Sequence, residues 1–137
     1  MARRIFIAHT GKDKNQVRGF ILLKWNTNVE FTFFDRSLVD RVKSDDPNYI
    51  RKCIRDKMHG TSVTVVLIGD NTHKSQWVAW EIKESVERGN GLLGIKLKGK
   101  SNAKVPEELR DYEARVINWD LHIFEDTIEL AAKEAGR

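Results

Sequence analysis

Val63-Thr64-Val65-Val66-Leu67-Ile68 is the stretch that decides the fold. Nearly every residue in it is apolar and β-branched, with no alternation to mark a wet face. A strand of that kind is covered on both sides, as a central strand of a parallel sheet is. Val29-Glu30-Phe31-Thr32-Phe33-Phe34 reads differently, because its alternation leaves one face partly wet and puts it near a sheet edge.

Outward from these two, strand-like and helix-like segments take turns. Arg4-Ile5-Phe6-Ile7-Ala8 opens as a strand, and a helix over 14–25 follows with Val17, Phe20, Ile21 and Lys24 at helical spacing. Pro47 to Met58 forms the next helix, with Asp46 as N-cap, Pro47 at the first helical position, and Ile50, Cys53, Ile54 and Met58 on one side. After the central strand come a helix over 75–88 closed by Gly89, a strand over 92–97, and a short helix over 106–112. Val116-Ile117 marks a fifth strand, and a last helix over 125–134 turns Ile128 and Ala131 inward.

This alternation predicts a single α/β domain over residues 1–137. Its five-stranded parallel sheet has helices on both faces and the flavodoxin-like order 2-1-3-4-5. Ligands of such sheets bind beyond the carboxyl ends of the strands, beside the switch point between strands one and three. Three segments converge there: His9 to Asp13, Asp35 to Asp46, and Asp70 to Glu81.

Composition narrows the function classes. At 137 residues, 32% charged and 40% apolar, the chain is an ordinary globular one. No apolar run approaches the roughly 18–20 residues that cross a bilayer. The apolar stretch at the N-terminus is too short for a signal peptide, so a cytoplasmic protein is expected, with no membrane partner. The net charge of +4 arises from 24 basic residues interleaved with 20 acidic ones. Lys96, Lys98, Lys100 and Lys104 sit together without an aromatic residue to stack a base, so nucleic acid is not an expected partner. Cys53 is the only cysteine, which excludes an internal disulfide and a cysteine-based zinc site. Its place on an apolar stripe marks it as a small buried hydrophobe. His59, His73 and His122 are scattered, and no metal site is expected.

Two lookalikes fall away on context. Gly94 to Ser101 spells the phosphate-loop pattern Gly-x-x-x-x-Gly-Lys-Ser, but Ile95 to Lys98 reads as the strand itself and Pro106 interrupts any helix opening at Ser101. A receiver domain needs an acidic pair after strand one and a lysine after strand five, where this chain has His9-Thr10 and Asn118-Trp119.

The segment Ser75-Gln76-Trp77-Val78-Ala79-Trp80-Glu81-Ile82 carries the chemistry. Val78, Ile82 and Val86 recur at four-residue spacing as a buried stripe. Trp77 and Glu81, also four apart, share a face beside it. Three and four residues from Glu81 lie Trp77, Val78, Glu84 and Ser85, none of them basic, whereas Glu84 has Arg88. Glu81 is therefore a carboxylate without a local counter-charge, near the crevice and beside an indole. The plain alternative is a solvated surface glutamate.

Several of these segments together resemble one family. Arg4-Ile5-Phe6-Ile7-Ala8-His9, Phe33-Phe34-Asp35, and the run from Gly60 through Gly69 to Trp77-x-x-x-Glu81-Ile82 are similar to the Toll/interleukin-1-receptor (TIR) superfamily. Within it they look most like the bacterial TIR-like branch of the Thoeris anti-phage defence system. The likeness runs from the first strand to about Leu97. Val105 to Leu109 and Val116 to Trp119 are similar to the compact flavodoxin-like members.

The resemblance implies that Glu81 is the catalytic glutamate of an NAD glycohydrolase or ADP-ribose cyclase. NAD would be its substrate, and no cofactor would be required. Trp77 would form the pocket wall. His9, with Thr10 beside it as a further substrate-binding residue, stands where many relatives carry an aromatic or polar residue near the nicotinamide end. Asp35 matches the aspartate that closes strand two. Relatives use the loop corresponding to Arg36 to Asp46 for head-to-tail assembly, so self-assembly there and an effector protein sensing the product are the implied partners. In this chain that loop contains neither Gly nor Pro, and Ala8-His9-Thr10 departs from the commoner serine-aromatic-arginine pattern.

The chemistry suits a lone carboxylate. Nicotinamide leaves from a nitrogen that is already cationic, so no general acid has to protonate it, unlike ordinary glycoside hydrolysis. What remains is a positively charged ribosyl centre that one anion can steady. A non-catalytic TIR-like interaction or ligand-sensing module is the competing expectation, because fold does not fix function.

Overall fold

The computed structural model describes residues 3–22, 29–34 and 46–137. In chain order the main elements are β1 (Arg3–Ala8), α1 (Lys14–Leu22), β2 (Val29–Phe33), α2 (Pro47–Met58), β3 (Val63–Ile68), α3 (Gln76–Glu87), β4 (Gly91–Lys96), α4 (Glu107–Asp111), β5 (Arg115–Ile117) and α5 (Phe124–Glu134). The five strands form one sheet in the order β2-β1-β3-β4-β5, with every pairing parallel. Ile7 lies opposite Phe33 on one side and Val65 on the other, which fixes the register at the carboxyl ends.

β3 is buried along its whole length, as its composition requires, and β2 at the edge is only partly covered. Because side chains alternate across a strand, the sheet supplies two cores. Ile5, Ile7, Val63, Val65 and Leu67 face α1 and α5, where Phe20, Trp119 and Phe124 make edge-on or tilted ring contacts at 5.2–5.7 Å. Phe6, Ala8, Val66 and Ile68 face the other way, against Ile50, Ile54 and Met58 of α2, Val78 and Ile82 of α3, and Leu109 of α4.

The second layer also buries hydroxyls. Thr64 Oγ1 and Ser85 Oγ lie 2.6 Å apart, and Ser85 Oγ donates to the Glu81 carbonyl at 2.7 Å, so a polar pair crosses from β3 to α3 with its partners supplied.

Local signals set the helix ends. The Asp46 carboxylate caps α2 by accepting from Asn48 N–H at 3.0 Å. Ser75 lies outside α3 rather than in it and caps the helix by accepting from Val78 N–H at 3.1 Å. Gly89, at φ 81°, ends α3 in a left-handed conformation that glycine tolerates without strain.

Two expectations are corrected. Cys53 is half-buried, on the flank of the stripe made by Ile50, Ile54 and Met58. The buried face of α3 is Val78, Glu81, Ile82 and Ser85, so Val86 is not part of it and Glu81 lies on the stripe instead of beside it. The first helix is described only to Leu22, and the predicted continuation to residue 25 falls outside the described residues. The Gly94–Ser101 pattern runs through β4 into a turn that opens no helix, and Lys100 Nζ is held 2.8 Å from the Asp70 carboxylate.

Among the described residues no helix is long and apolar enough to cross a membrane. No three His, Cys, Asp or Glu side chains among them gather as a metal-ligand set.

β4 and α5 approach closely at Gly91. A Cβ at Gly91 would stand 2.3 Å from the Ala131 carbonyl oxygen, which is backbone and cannot swing aside. Gly91→Ala is expected to lower unfolding free energy by about 1–3 kcal/mol through overpacking. Gly19→Ala in α1, with nothing within 4 Å of the new methyl, should raise it by about 0.5–1 kcal/mol. Urea denaturation of both variants checks the pair, and equal effects would overturn the packing account.

Candidate functional site

The carboxyl ends of β1 and β2 and the starts of α2 and α3 surround a cavity of about 440 Å³. Its lining is His9, Thr10, Gly11 and Lys14 after β1, Phe34 after β2, Ile50 and Ile54 of α2, and Ser75, Trp77 and Glu81 at the head of α3. The cavity sits where the order of a doubly wound sheet reverses, between β1 and β3. A 3-10 turn over Thr72–Lys74 carries the chain from β3 to α3, and Thr72 Oγ1 anchors it by accepting from Gly69 N–H at 2.8 Å.

Glu81 is 6% exposed. Its carboxylate has no hydrogen-bond or ion-pair partner among the described residues, and burial alone pushes its pKa well above the ordinary value of 4.5. Removing a carboxylate from water disfavours its anionic form, and nothing among the described residues compensates. Glu84, one turn away, shows the contrast: Arg55 Nε lies 3.0 Å from it and Arg88 Nε 4.0 Å.

The wall around Glu81 is mixed. Ile50 and Ile54 are fully covered side chains with core character, and Phe34 extends the same surface. Trp77 meets Trp80 edge-on at 6.2 Å, and the Arg51 guanidinium lies 5.9 Å over its ring. A cation therefore stands against the indole that walls the cavity.

His9 has a defined tautomer. Its Nδ1 is 2.7 Å from the Thr10 carbonyl oxygen, which can only accept, so Nδ1 carries the hydrogen. Nε2 is buried and has no partner among the described residues. The ring packs edge-on against Phe33 at 5.7 Å. Thr10 Oγ1 donates to Asp13 at 3.0 Å, which holds the loop after β1 in place.

Four of the five residues singled out from the sequence meet at this cavity: His9, Thr10, Trp77 and Glu81. Asp35 and residues 36–45 lie outside the described residues, while Asp46 is the cap of α2. A solvated surface position for Glu81 is ruled out by its burial. Sequence reading missed Lys14, Phe34, Ile50, Ile54 and Ser75. Phe34 and Lys14 were findable from their places just past the ends of β1 and β2; the two isoleucines look like any other core residues.

Comparison with known proteins adds the following. Residues 6–102 match the family described as Thoeris protein ThsB, TIR-like domain. A protein of Bacillus cereus (strain MSX-D12), named "Putative cyclic ADP-D-ribose synthase ThsB1", is 31% identical over 140 residues, covering 93% of this chain and 72% of the relative.

The burial of Glu81 sets a pH-dependent term in stability. A carboxyl whose folded pKa is raised binds its proton more tightly in the folded state. Its stabilising contribution is complete below 4.5 and is lost as pH rises through the folded pKa. Glu81→Gln, which cannot ionise, should therefore gain stability relative to the parent as pH climbs from 4.5 through the raised folded pKa. Denaturation midpoints across that range test it, and a difference that stays flat would remove the buried-carboxyl account.

Proposed function

The chain belongs to the TIR-like domain family of Thoeris protein ThsB, and from that premise we propose that it cleaves the nicotinamide–ribose bond of NAD, with Glu81 as the catalytic carboxylate. The activity is that of an NAD glycohydrolase or ADP-ribose cyclase serving a defence or signalling role. The observation that carries the reading is one buried carboxylate, without a counter-charge among the described residues, on the wall of a cavity at the switch point.

The family name of the relative points the same way, since a cyclic ADP-ribose synthase must also break that bond. As the bond lengthens, its electron pair moves onto the pyridinium nitrogen and nicotinamide departs neutral. The ribosyl carbon is left positive. A carboxylate in a dry cavity stabilises that charge far better than one in water, because little solvent screens it. Phe34, Ile50, Ile54 and Trp77 keep the surroundings apolar. Trp77 forms the wall for the departing ring, and Thr10 and His9 supply polar atoms at the β1 end of the cavity. The reaction ends when a hydroxyl attacks the positive carbon, from water for the linear product or from the far ribose for a cyclised one.

Purified protein incubated with NAD, with products separated by chromatography, tests the proposal directly. Nicotinamide should appear in step with linear or cyclised ADP-ribose. Glu81→Gln should cut turnover by about 10²–10³-fold or more, the scale of losing one preorganised electrostatic group, while the melting temperature does not fall. A chain that binds partners but leaves NAD intact at every protein concentration would be a non-catalytic module.

Trp77 supplies a second test. Trp77→Phe should retain most activity, and Trp77→Ala should lose it mainly through a raised KM, because the wall contributes binding and not chemistry. A pure kcat defect in Trp77→Ala would contradict that role.

A further inference from the structure

Resting on the reading of NAD as the ligand, we infer that occupancy of this cavity is proton-linked: a nucleotide bearing a pyridinium cation binds with release of a proton from Glu81, and the same nucleotide with an uncharged ring binds without it. The cavity thereby selects the oxidised over the reduced nucleotide by charge, before any bond is broken.

The geometry leaves Glu81 alone with its charge. On its own helix, Glu84 is taken by Arg55 and Arg88, and Lys83 and Glu87 are exposed on the outer side. On α2, Arg51 is engaged with Asn48 Oδ1 at 3.1 Å and the Trp77 ring, Arg55 with Glu84 and the Trp80 ring, and Lys52 with Asp56. From the end of β1, His9 offers a ring whose Nδ1–H is committed to Thr10, and Asp13 receives the Thr10 hydroxyl. Lys14 lines the cavity and has an interaction of its own. Past β3, Asp70 is held by Lys100.

None of these groups contributes to the Glu81 shift, whose sole cause is desolvation. Burial therefore tilts Glu81 toward its neutral acid form. A pyridinium ring placed beside it supplies the missing opposite charge, and the anion becomes the favoured form.

The balance is simple. Glu81–COOH plus the cationic ligand becomes the carboxylate–pyridinium pair, and one proton passes to solvent. By reciprocity, the affinity for the cationic nucleotide rises with pH from the pKa that Glu81 has in the complex up to its raised value in the free folded protein. A neutral dihydronicotinamide ring gives the carboxyl no reason to ionise. It leaves the proton where it is, and the oxidised form gains a preference that widens with pH.

Titration calorimetry separates the two ligands. The probes are a carbocyclic NAD analogue, which keeps the pyridinium cation but whose ring carbon–nitrogen bond does not break, and NADH. Each is titrated in two buffers of different ionisation enthalpy at about pH 6, 7 and 8. The analogue should show a buffer-dependent enthalpy corresponding to release of up to one proton, and NADH should show none. Glu81→Gln should abolish the buffer dependence and shrink the preference for the cation at least several-fold, with Glu81→Ala as the second variant should the first fold poorly. Binding of the analogue without proton release at all three pH values overturns the inference. If NAD is nevertheless cleaved, the proposed activity survives that result. If neither nucleotide binds, the activity and the inference fall together.

Discussion

Burial of β3 on both faces is the constraint from which the rest follows. A strand of valine, leucine and isoleucine paired to β1 on one side and β4 on the other can be shielded only by helices above and below it. Parallel pairing then requires a crossover after each strand, and successive crossovers on opposite faces open a crevice where the winding reverses. The cavity is a consequence of that topology. What is particular to this chain is the side chains that the topology delivers there, and the head of α3 delivers the decisive one.

The two layers divide the work unequally. On the side of α1 and α5 the core is mainly apolar, with Phe20, Trp119 and Phe124 interlocked. On the side of α2 and α3, hydroxyls and a carboxylate enter the stripe. Ser85 is reconciled to burial by Thr64 and the Glu81 carbonyl, whereas the Glu81 carboxylate has no partner among the described residues. A buried ionisable group left without a partner opposes folding, and such conflicts gather at functional sites.

Much of this was legible in the residues. The unbroken β-branched run announced a central strand, the alternation in β2 announced an edge, and Asp46-Pro47 announced the start of α2. The isolation of Glu81 could be read from the absence of a basic residue three or four positions away. Its burial could not. The stripe admits two phasings, Val78-Ile82-Val86 or Val78-Glu81-Ile82-Ser85, and apolarity favours the first. The second prevails because Thr64 on β3 waits opposite Ser85, a pairing between distant segments that no local pattern reveals. Cys53 misled in the same way: the stripe of α2 passes one residue to its side. Ile50 and Ile54 are hidden for another reason, since their outer atoms wall a cavity while the side chains as a whole have the composition of core.

These particulars bear on why a single carboxylate suffices. A pair of carboxylates divides labour when a leaving group must be protonated and a nucleophile or water activated. In the proposed reaction a leaving group that is already cationic removes the first task, and the apolar wall would serve the second by limiting which hydroxyl reaches the positive carbon. An ion-paired glutamate would be pre-committed to its partner, with its field spent before substrate arrived. Glu84 is such a residue, and it faces Arg55 and Arg88 instead of the cavity. Glu81, three positions earlier on the same helix, is paired with no cation among the described residues, and in the proposed reaction its charge is left for the ligand.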